Sequence, residues 1–180
     1  MLGSVLADRG HHYEVVAIGG GALQLIGIID RPTQDLDLVA LRDGDTLFRV
    51  GETLLPAPLV QAIADVARVY DLATDWVNGK PGSLIDFGLP EGFLGRLERR
   101  VYGGLGLSLA SRYDQIHFKL YAAADGAPGG KHHRDLQQLQ PAREELLEAA
   151  RWARTHDPSE GFALMVTAVL RDFGVEAPSS

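Results

Sequence analysis

The stretch IGGGALQLIGIIDRPTQDLDLV (18–39) opens with three glycines and closes with two aspartates that flank a single leucine. The β-branched run EVVAI (14–18) ends at those glycines and predicts a strand that leads into a tight turn. The segment ALQLIGII (22–29) then predicts a short buried helix, and the alternation in DLDLVAL (35–41) predicts a second strand. The fold is therefore predicted to begin with a strand, a glycine turn, a short helix and an acidic strand.

The acidic strand carries its polar side chains on one face. Because strand side chains alternate, Thr33, Asp35 and Asp37 are predicted to point one way while Leu36 and Leu38 point into the core. Carboxylates spaced about 6–7 Å apart at Cα can share magnesium ions that bridge a triphosphate and activate a hydroxyl. The alternative is an edge strand with a solvated polar face. The glycine turn upstream of the aspartates favours the metal site.

The glycines do not match the common nucleotide-binding motifs. The dinucleotide fingerprint G-x-G-x-x-G, counted from Gly19, would need a small residue where Gln24 stands. The phosphate-binding loop needs a lysine after its glycines, and the first lysine of this chain is Lys80. Backbone N–H groups after Gly19, Gly20 and Gly21, at the start of a helix, are nevertheless suited to phosphate oxygens.

Composition limits the classes of function. The chain has 180 residues, a net charge of −7 and no cysteine, which excludes disulfides, thiolate metal sites and thiol catalysis. The acidic balance argues against a dedicated nucleic-acid binder, although it permits an enzyme that contacts RNA locally. The sequence has no signal-peptide pattern and no long apolar run, so we expect a cytoplasmic protein that does not contact the membrane.

The remaining segments predict an α+β fold with a mixed sheet, followed by a helical bundle. A helix is predicted around Pro58 and through Leu72. Short strands are predicted at TDWVN (74–78), SLIDFGL (83–89), RRVYGGL (99–105) and GLSLAS (106–111). Helices are predicted at 112–125, 132–139, 142–157 and 159–174, the last with Ser159 as its N-cap and Gly174 as its stop, and the tail EAPSS (176–180) is predicted to fray. The predicted boundary divides an α/β core (1–110) from a helical subdomain (111–180).

The motifs resemble the nucleotidyltransferase (polymerase beta-like) superfamily, and more narrowly the AbiEii and MenT group of toxin nucleotidyltransferases. The first motif of that group reads Gly-Gly-x-Ala-Leu, then Arg-x-Thr/Ser-x-Asp-hydrophobic-Asp. In this chain its positions are Gly19, Gly20, Ala22, Leu23, Arg31, Thr33, Asp35 and Asp37. A later motif, Lys-Leu-x-Ala followed by an aspartate, resembles KLYA (119–122) and Asp135.

The resemblance implies a nucleotidyltransferase fold and an enzyme that moves a nucleoside monophosphate from an NTP to an acceptor. In the toxin group that acceptor is typically the 3′ end of tRNA, and the enzyme is paired with a cognate antitoxin protein. The cofactor implied is Mg²⁺. Two alternatives remain open: a small-molecule or protein acceptor, and an inactive nucleotidyltransferase fold that serves as a binding module.

The resemblance also implies roles for individual residues. Asp35 and Asp37 would hold the metal, and one of them would take the proton from the attacking hydroxyl. Arg31 and Thr33 would contact phosphate. Lys119, whose alternative is a surface lysine, would bind phosphate as well, and Asp135 would orient Lys119 or complete the site. Candidates for a third metal-binding carboxylate are Asp75, Asp86 and Asp135.

Overall fold

The computed structural model describes residues 1–51 and 55–176. Apart from Glu176, the predicted frayed tail lies outside the described residues. The chain divides into two compact units, Met1–Ser111 and a second that starts at Arg112. The fold is α+β, with a mixed six-stranded sheet in the first unit and helices in the second. The predicted fold class is confirmed at this level.

The first unit holds six strands and three α-helices. Its strands are β1 Tyr13–Ile18, β2 Leu36–Asp43, β3 Thr46–Arg49, β4 Val77–Asn78, β5 Glu98–Tyr102 and β6 Leu105–Leu109. Its helices are α1 Leu2–Asp8, α2 Gly19–Leu25 and α3 Ala57–Tyr70, with 3-10 helices at Lys80–Phe87 and Phe93–Arg96. The strand order is β3-β2-β1-β6-β5, and β4 pairs with the start of β2.

The sheet is mixed because two of its pairings are parallel. β1 pairs with β6 in parallel and with β2 antiparallel, while β4 joins β2 in parallel. The core combines buried side chains of β1 and β6 with apolar faces of α1 and α3, among them Leu6, Val15, Leu59, Ile63 and Leu107. The sheet therefore has a packed face that fixes the direction of its strand ends.

A bulge interrupts the pairing of β1 with β2. Val16 lies opposite Ala40, whereas the next residue, Ala17, lies opposite Leu38. Val39 is therefore an extra residue in β2, and Leu38, Val39 and Ala40 are all buried. The simple alternation predicted for β2 holds only at its start, which is the end that carries Asp37.

The segment SLIDFGL (83–89) does not form the predicted strand. It belongs to the 3-10 helix Lys80–Phe87, whose first turn contains Pro81. Proline has no N–H for a sheet and fixes a φ that suits a helical turn. The following Gly82 packs against the carbonyl of Val50, where a Cβ would approach to 1.9 Å. Backbone packing at this point overrides the strand propensity of the apolar residues.

The second unit contains four helices: α4 Arg112–Asp125, α5 Lys131–Gln138, α6 Arg143–His156 and α7 Glu160–Asp172. α4 packs against each of the other three. Ser159 caps α7, since its side chain accepts a hydrogen bond from the Phe162 N–H, and Gly174 follows with a φ of +70°. The predicted helices of this half are confirmed to within two residues at their ends.

Candidate functional site

Gly19 lies directly against the carboxylate of Asp37. β1 ends at Ile18, whose register partner on β2 is Asp37, so the turn into α2 begins beside this aspartate. Gly19 has a φ of +77°, and a Cβ there would come within 2.5 Å of Asp37 Oδ2. Glycine is thus required both by the backbone conformation and by the adjacent carboxylate.

The next two glycines face the loop that leads into β2. A Cβ on Gly20 would lie 3.1 Å from Thr33 Cγ2 and 3.3 Å from a guanidinium nitrogen of Arg31. A Cβ on Gly21 would lie 2.7 Å from the carbonyl oxygen of Asp35. The structure therefore brings the predicted residues of the first motif together around the glycine segment, with a cation and two carboxylates beside it.

Thr33 has a partner within the site. Its hydroxyl donates a hydrogen bond of 3.1 Å to Gln24 Oε1 on α2. This bond ties the loop before β2 to the helix that follows the glycines, and it helps to hold that loop against the glycines.

Asn78 is a site residue that the sequence prediction missed. Its side chain is buried, donates a hydrogen bond of 3.1 Å to Asp37 Oδ1, and accepts one of 3.1 Å from the Lys80 N–H. Because Oδ1 is engaged by this amide and Oδ2 faces Gly19, the orientation of the Asp37 carboxylate is set from both sides. An asparagine in a two-residue strand gives no sequence signal of such a role.

Lys80 places a second cation near the two aspartates. Its ammonium contacts Asp75 Oδ2 at 2.9 Å, and both side chains are exposed. The hydrogen bond and charge of Asp75 raise the pKa of Lys80, and the charges of Asp35 and Asp37 add to this. The same contact lowers the pKa of Asp75. Asp35 and Asp37 thus act on a common neighbour, as expected for carboxylates near one surface.

Lys119 and Asp135 form a buried ion pair in the second unit. Lys119 Nζ lies 2.7 Å from Asp135 Oδ2, and the two side chains are 5% and 2% exposed. Lys119 belongs to a run of α4, from Asp114 to Leu120, in which every residue is buried. The alternative of a surface lysine is therefore wrong. The predicted pairing of Asp135 with Lys119 is present.

The donor set of the first unit fits magnesium. Mg²⁺ is usually held by one or two carboxylates, with substrate phosphates and water completing its octahedron. Asp35 and Asp37 supply that kind of oxygen donor, and Asp37 Oδ2 lies on the side where glycine leaves no side chain. Within residues 1–51 and 55–176, no three acidic, histidine or cysteine side chains are grouped as a metal site.

The candidates for a third carboxylate have other partners. Asp75 pairs with Lys80, and Asp86 contacts Arg49 at 2.8 Å from the 3-10 helix that replaces the predicted strand. Asp135 pairs with Lys119. The first-unit site therefore has the character of a two-carboxylate site completed by substrate oxygens.

Comparison of the chain with models of known protein families, with curated proteins and with solved structures found no match. None of the helices in the described part of the chain has the length and apolar character needed to cross a membrane. The functional argument consequently depends on the residues and geometry of the site.

Proposed function

We propose that this chain is a magnesium-dependent nucleotidyltransferase that moves a nucleoside monophosphate from an NTP to an acceptor hydroxyl. The observation that carries the proposal is the packing of the Gly19–Gly21 segment against Asp37, Thr33 and Arg31. A chain that needed these residues only for its fold would have no reason to turn a carboxylate and a guanidinium toward a stretch without side chains.

Asp35 and Asp37 hold the metal, whose role when bound is to neutralise the triphosphate and lower the pKa of the attacking hydroxyl. Asp37 is fixed by Asn78 and serves as the constant ligand. Asp35 accepts the proton of the acceptor hydroxyl. The acceptor oxygen forms a bond to the α-phosphorus as the bond to the β-phosphate bridging oxygen breaks, and pyrophosphate leaves with its charge stabilised by Arg31.

The resemblance of the motifs supports a more specific reading, in which the acceptor is the 3′ end of tRNA. In that reading the protein is the toxin of a toxin–antitoxin pair, works in the cytoplasm, and is silenced by a cognate antitoxin protein. The resemblance also assigns phosphate binding to Lys119, which Asp135 holds in place.

The test is transfer of label from each α-labelled NTP in turn to total tRNA in the presence of Mg²⁺. Asp35→Asn and Asp37→Asn remove one charge each with little change of shape. Asp45→Asn is the matched control, because Asp45 lies in the hairpin after β2 with its side chain 93% exposed.

We expect label on tRNA from one NTP, abolished by EDTA and by both site variants and retained by the control. Label on the protein itself or on an added aminoglycoside, with none on RNA, would replace tRNA by a protein or small-molecule acceptor. Absence of all transfer and of magnesium-dependent NTP binding would overturn the enzyme proposal in favour of a binding module.

A further inference from the structure

A cleft of about 660 Å³ adjoins the candidate site on the side of Asp35. It lies between the end of α2, the loop before β2, and the segment that connects α3 to β4. Its volume is within the range of small-molecule sites. Asp35 lines it, whereas Asp37, Arg31 and Lys80 do not.

The lining is acidic and amide-rich. Two carboxylates, Asp35 and Asp71, face the cleft, together with the side-chain amides of Gln24 and Gln34, and none of the described residues that line it is a lysine or arginine. Such a surface repels phosphate groups, since nothing in it compensates their charge. The occupant must therefore be a part of a substrate that carries no phosphate.

The apolar part of the lining suits a flat ring. Trp76 forms one wall with Leu36 and Leu72. The indole of Trp76 is fixed, because its Nε1 donates to the carbonyl of Ile63 at 3.1 Å. The carbonyl of Trp76 in turn accepts a hydrogen bond from the Leu36 N–H, so this wall is joined to the strand start between the two aspartates.

We infer that this cleft is the acceptor subsite and that it binds the 3′-terminal nucleoside of an RNA; the inference rests on the proposed function. The base lies against the Trp76 wall and its edge meets the amides of Gln24 and Gln34, an arrangement suited to unpaired bases. The ribose hydroxyls then lie at Asp35, the residue that takes the proton from the attacking hydroxyl. The donor triphosphate lies outside the cleft, where Arg31 contacts Gly20.

Trp76 provides a direct readout of binding. The chain has two tryptophans, so Trp152→Phe leaves Trp76 as the only one. In this full-length variant we expect adenosine and the trinucleotide CCA to change the Trp76 fluorescence in a saturable way. Tripolyphosphate and kanamycin are expected to leave it unchanged. Gln34→Ala is expected to weaken CCA binding about fivefold, the equivalent of one neutral hydrogen bond, with Gln138→Ala as the control.

Donor and acceptor are separated by competition. With a non-hydrolysable NTP analogue and Mg²⁺ at saturation, the CCA response is expected to persist, and in label transfer Gln34→Ala is expected to raise the KM for tRNA with the KM for NTP unchanged. A response to the NTP analogue that abolishes CCA binding would assign the cleft to the donor nucleoside and overturn the inference. A kanamycin response without one to CCA would overturn it as well.

The outcomes keep the two proposals apart. Label transfer to tRNA without any Trp76 response would retain the enzyme and reject the subsite. A saturable CCA response in a protein that transfers no label would support the subsite as an RNA-end site and reject the transferase.

Discussion

The side-chain amide of Asn78 donates a hydrogen bond of 3.1 Å to the carboxylate of Asp37, and the two residues are register partners on the parallel strands β4 and β2. A two-residue strand thereby fixes one oxygen of a candidate metal ligand. Partners of this kind orient a ligand without touching the substrate, and their loss commonly lowers activity by about 10–100-fold.

Asn78→Leu is expected to lower kcat of nucleotidyl transfer by about 10–100-fold and to raise the Mg²⁺ concentration needed for half-maximal rate. The reason is that the Asp37 carboxylate loses the donor that sets its orientation. The Mg²⁺ titration is the decisive measurement, because a general loss of fold would reduce the amplitude without shifting the midpoint. Gln61→Leu, which removes an exposed amide on α3, is the control.

Gly19→Ala and Gly27→Ala form a matched pair. The two glycines have φ values of +77° and +78°, so each alanine carries a similar backbone penalty of about 1–2 kcal/mol. Only at Gly19 would the new Cβ meet Asp37 Oδ2, whereas nothing lies within 4 Å of a Cβ at Gly27. Denaturant unfolding should therefore show a loss of stability in both variants, while label transfer should fail only in Gly19→Ala. Equal activity of the two variants would contradict the role of Gly19.

The Lys119–Asp135 pair allows stability and function to be separated. Lys119→Met or Asp135→Leu alone leaves one buried charge without its partner, which costs about 3–5 kcal/mol of unfolding free energy. The double variant Lys119→Met/Asp135→Leu removes both charges and should recover most of that loss.

We expect the double variant to be folded and inactive in label transfer, because a phosphate-binding cation is gone. Activity near the wild-type level in the refolded double variant would show that the pair is structural. Removal of the exposed Asp75–Lys80 pair by Asp75→Asn is expected to have little effect on unfolding, since solvent screens that contact.

The second unit should lose stability in acid through Glu145. Arg112 binds both carboxylate oxygens of Glu145, at 2.7 and 3.1 Å, and this hydrogen bonding lowers the pKa of Glu145 below its ordinary 4.5. A group whose pKa is lower in the folded state stabilises the fold fully above its unfolded pKa, and that stabilisation is lost as the pH falls through the folded value. Glu145→Gln should flatten the unfolding free energy below about pH 4.5, whereas Glu144→Gln, at the exposed neighbouring position, should leave it unchanged.

The fold was predictable where local sequence and tertiary packing agree. α4 starts and ends at the predicted residues 112 and 125, and β1 agrees to within one residue. α1 was missed because its seven residues include Gly3, which is needed where a Cβ would come within 1.5 Å of the Tyr102 carbonyl oxygen. No local pattern encodes that contact.

β3 was missed although a signal existed. The pair Gly44–Asp45 connects β2 to β3 as a two-residue loop, and Gly44 has a positive φ. A glycine–aspartate pair between strand-forming residues is typical of a hairpin. The error here was one of interpretation, whereas the short β3 itself contributes little strand propensity.

The candidate site was predictable in its motif residues and unpredictable in their supports. Gly19, Asp35 and Asp37 are close in sequence, so a turn and a strand suffice to place them. Asn78 and Lys80 lie about forty residues further on and reach the site only because β4 pairs with β2. Long-range strand pairing leaves no periodicity in either segment, and single-sequence reasoning therefore cannot find such partners.

The bulge at Val39 separates the evolution of the two halves of β2. Beyond it, the Asp43–Thr46 hairpin can gain or lose residues without turning the Asp37 carboxylate, because the extra residue absorbs the change in register before the acidic end is reached. Deletion of Val39 itself would rotate everything on one side of it to the opposite face. Length variation among relatives of this chain should accordingly be confined to the hairpin tip, with the spacing from Asp35 to Val39 held constant.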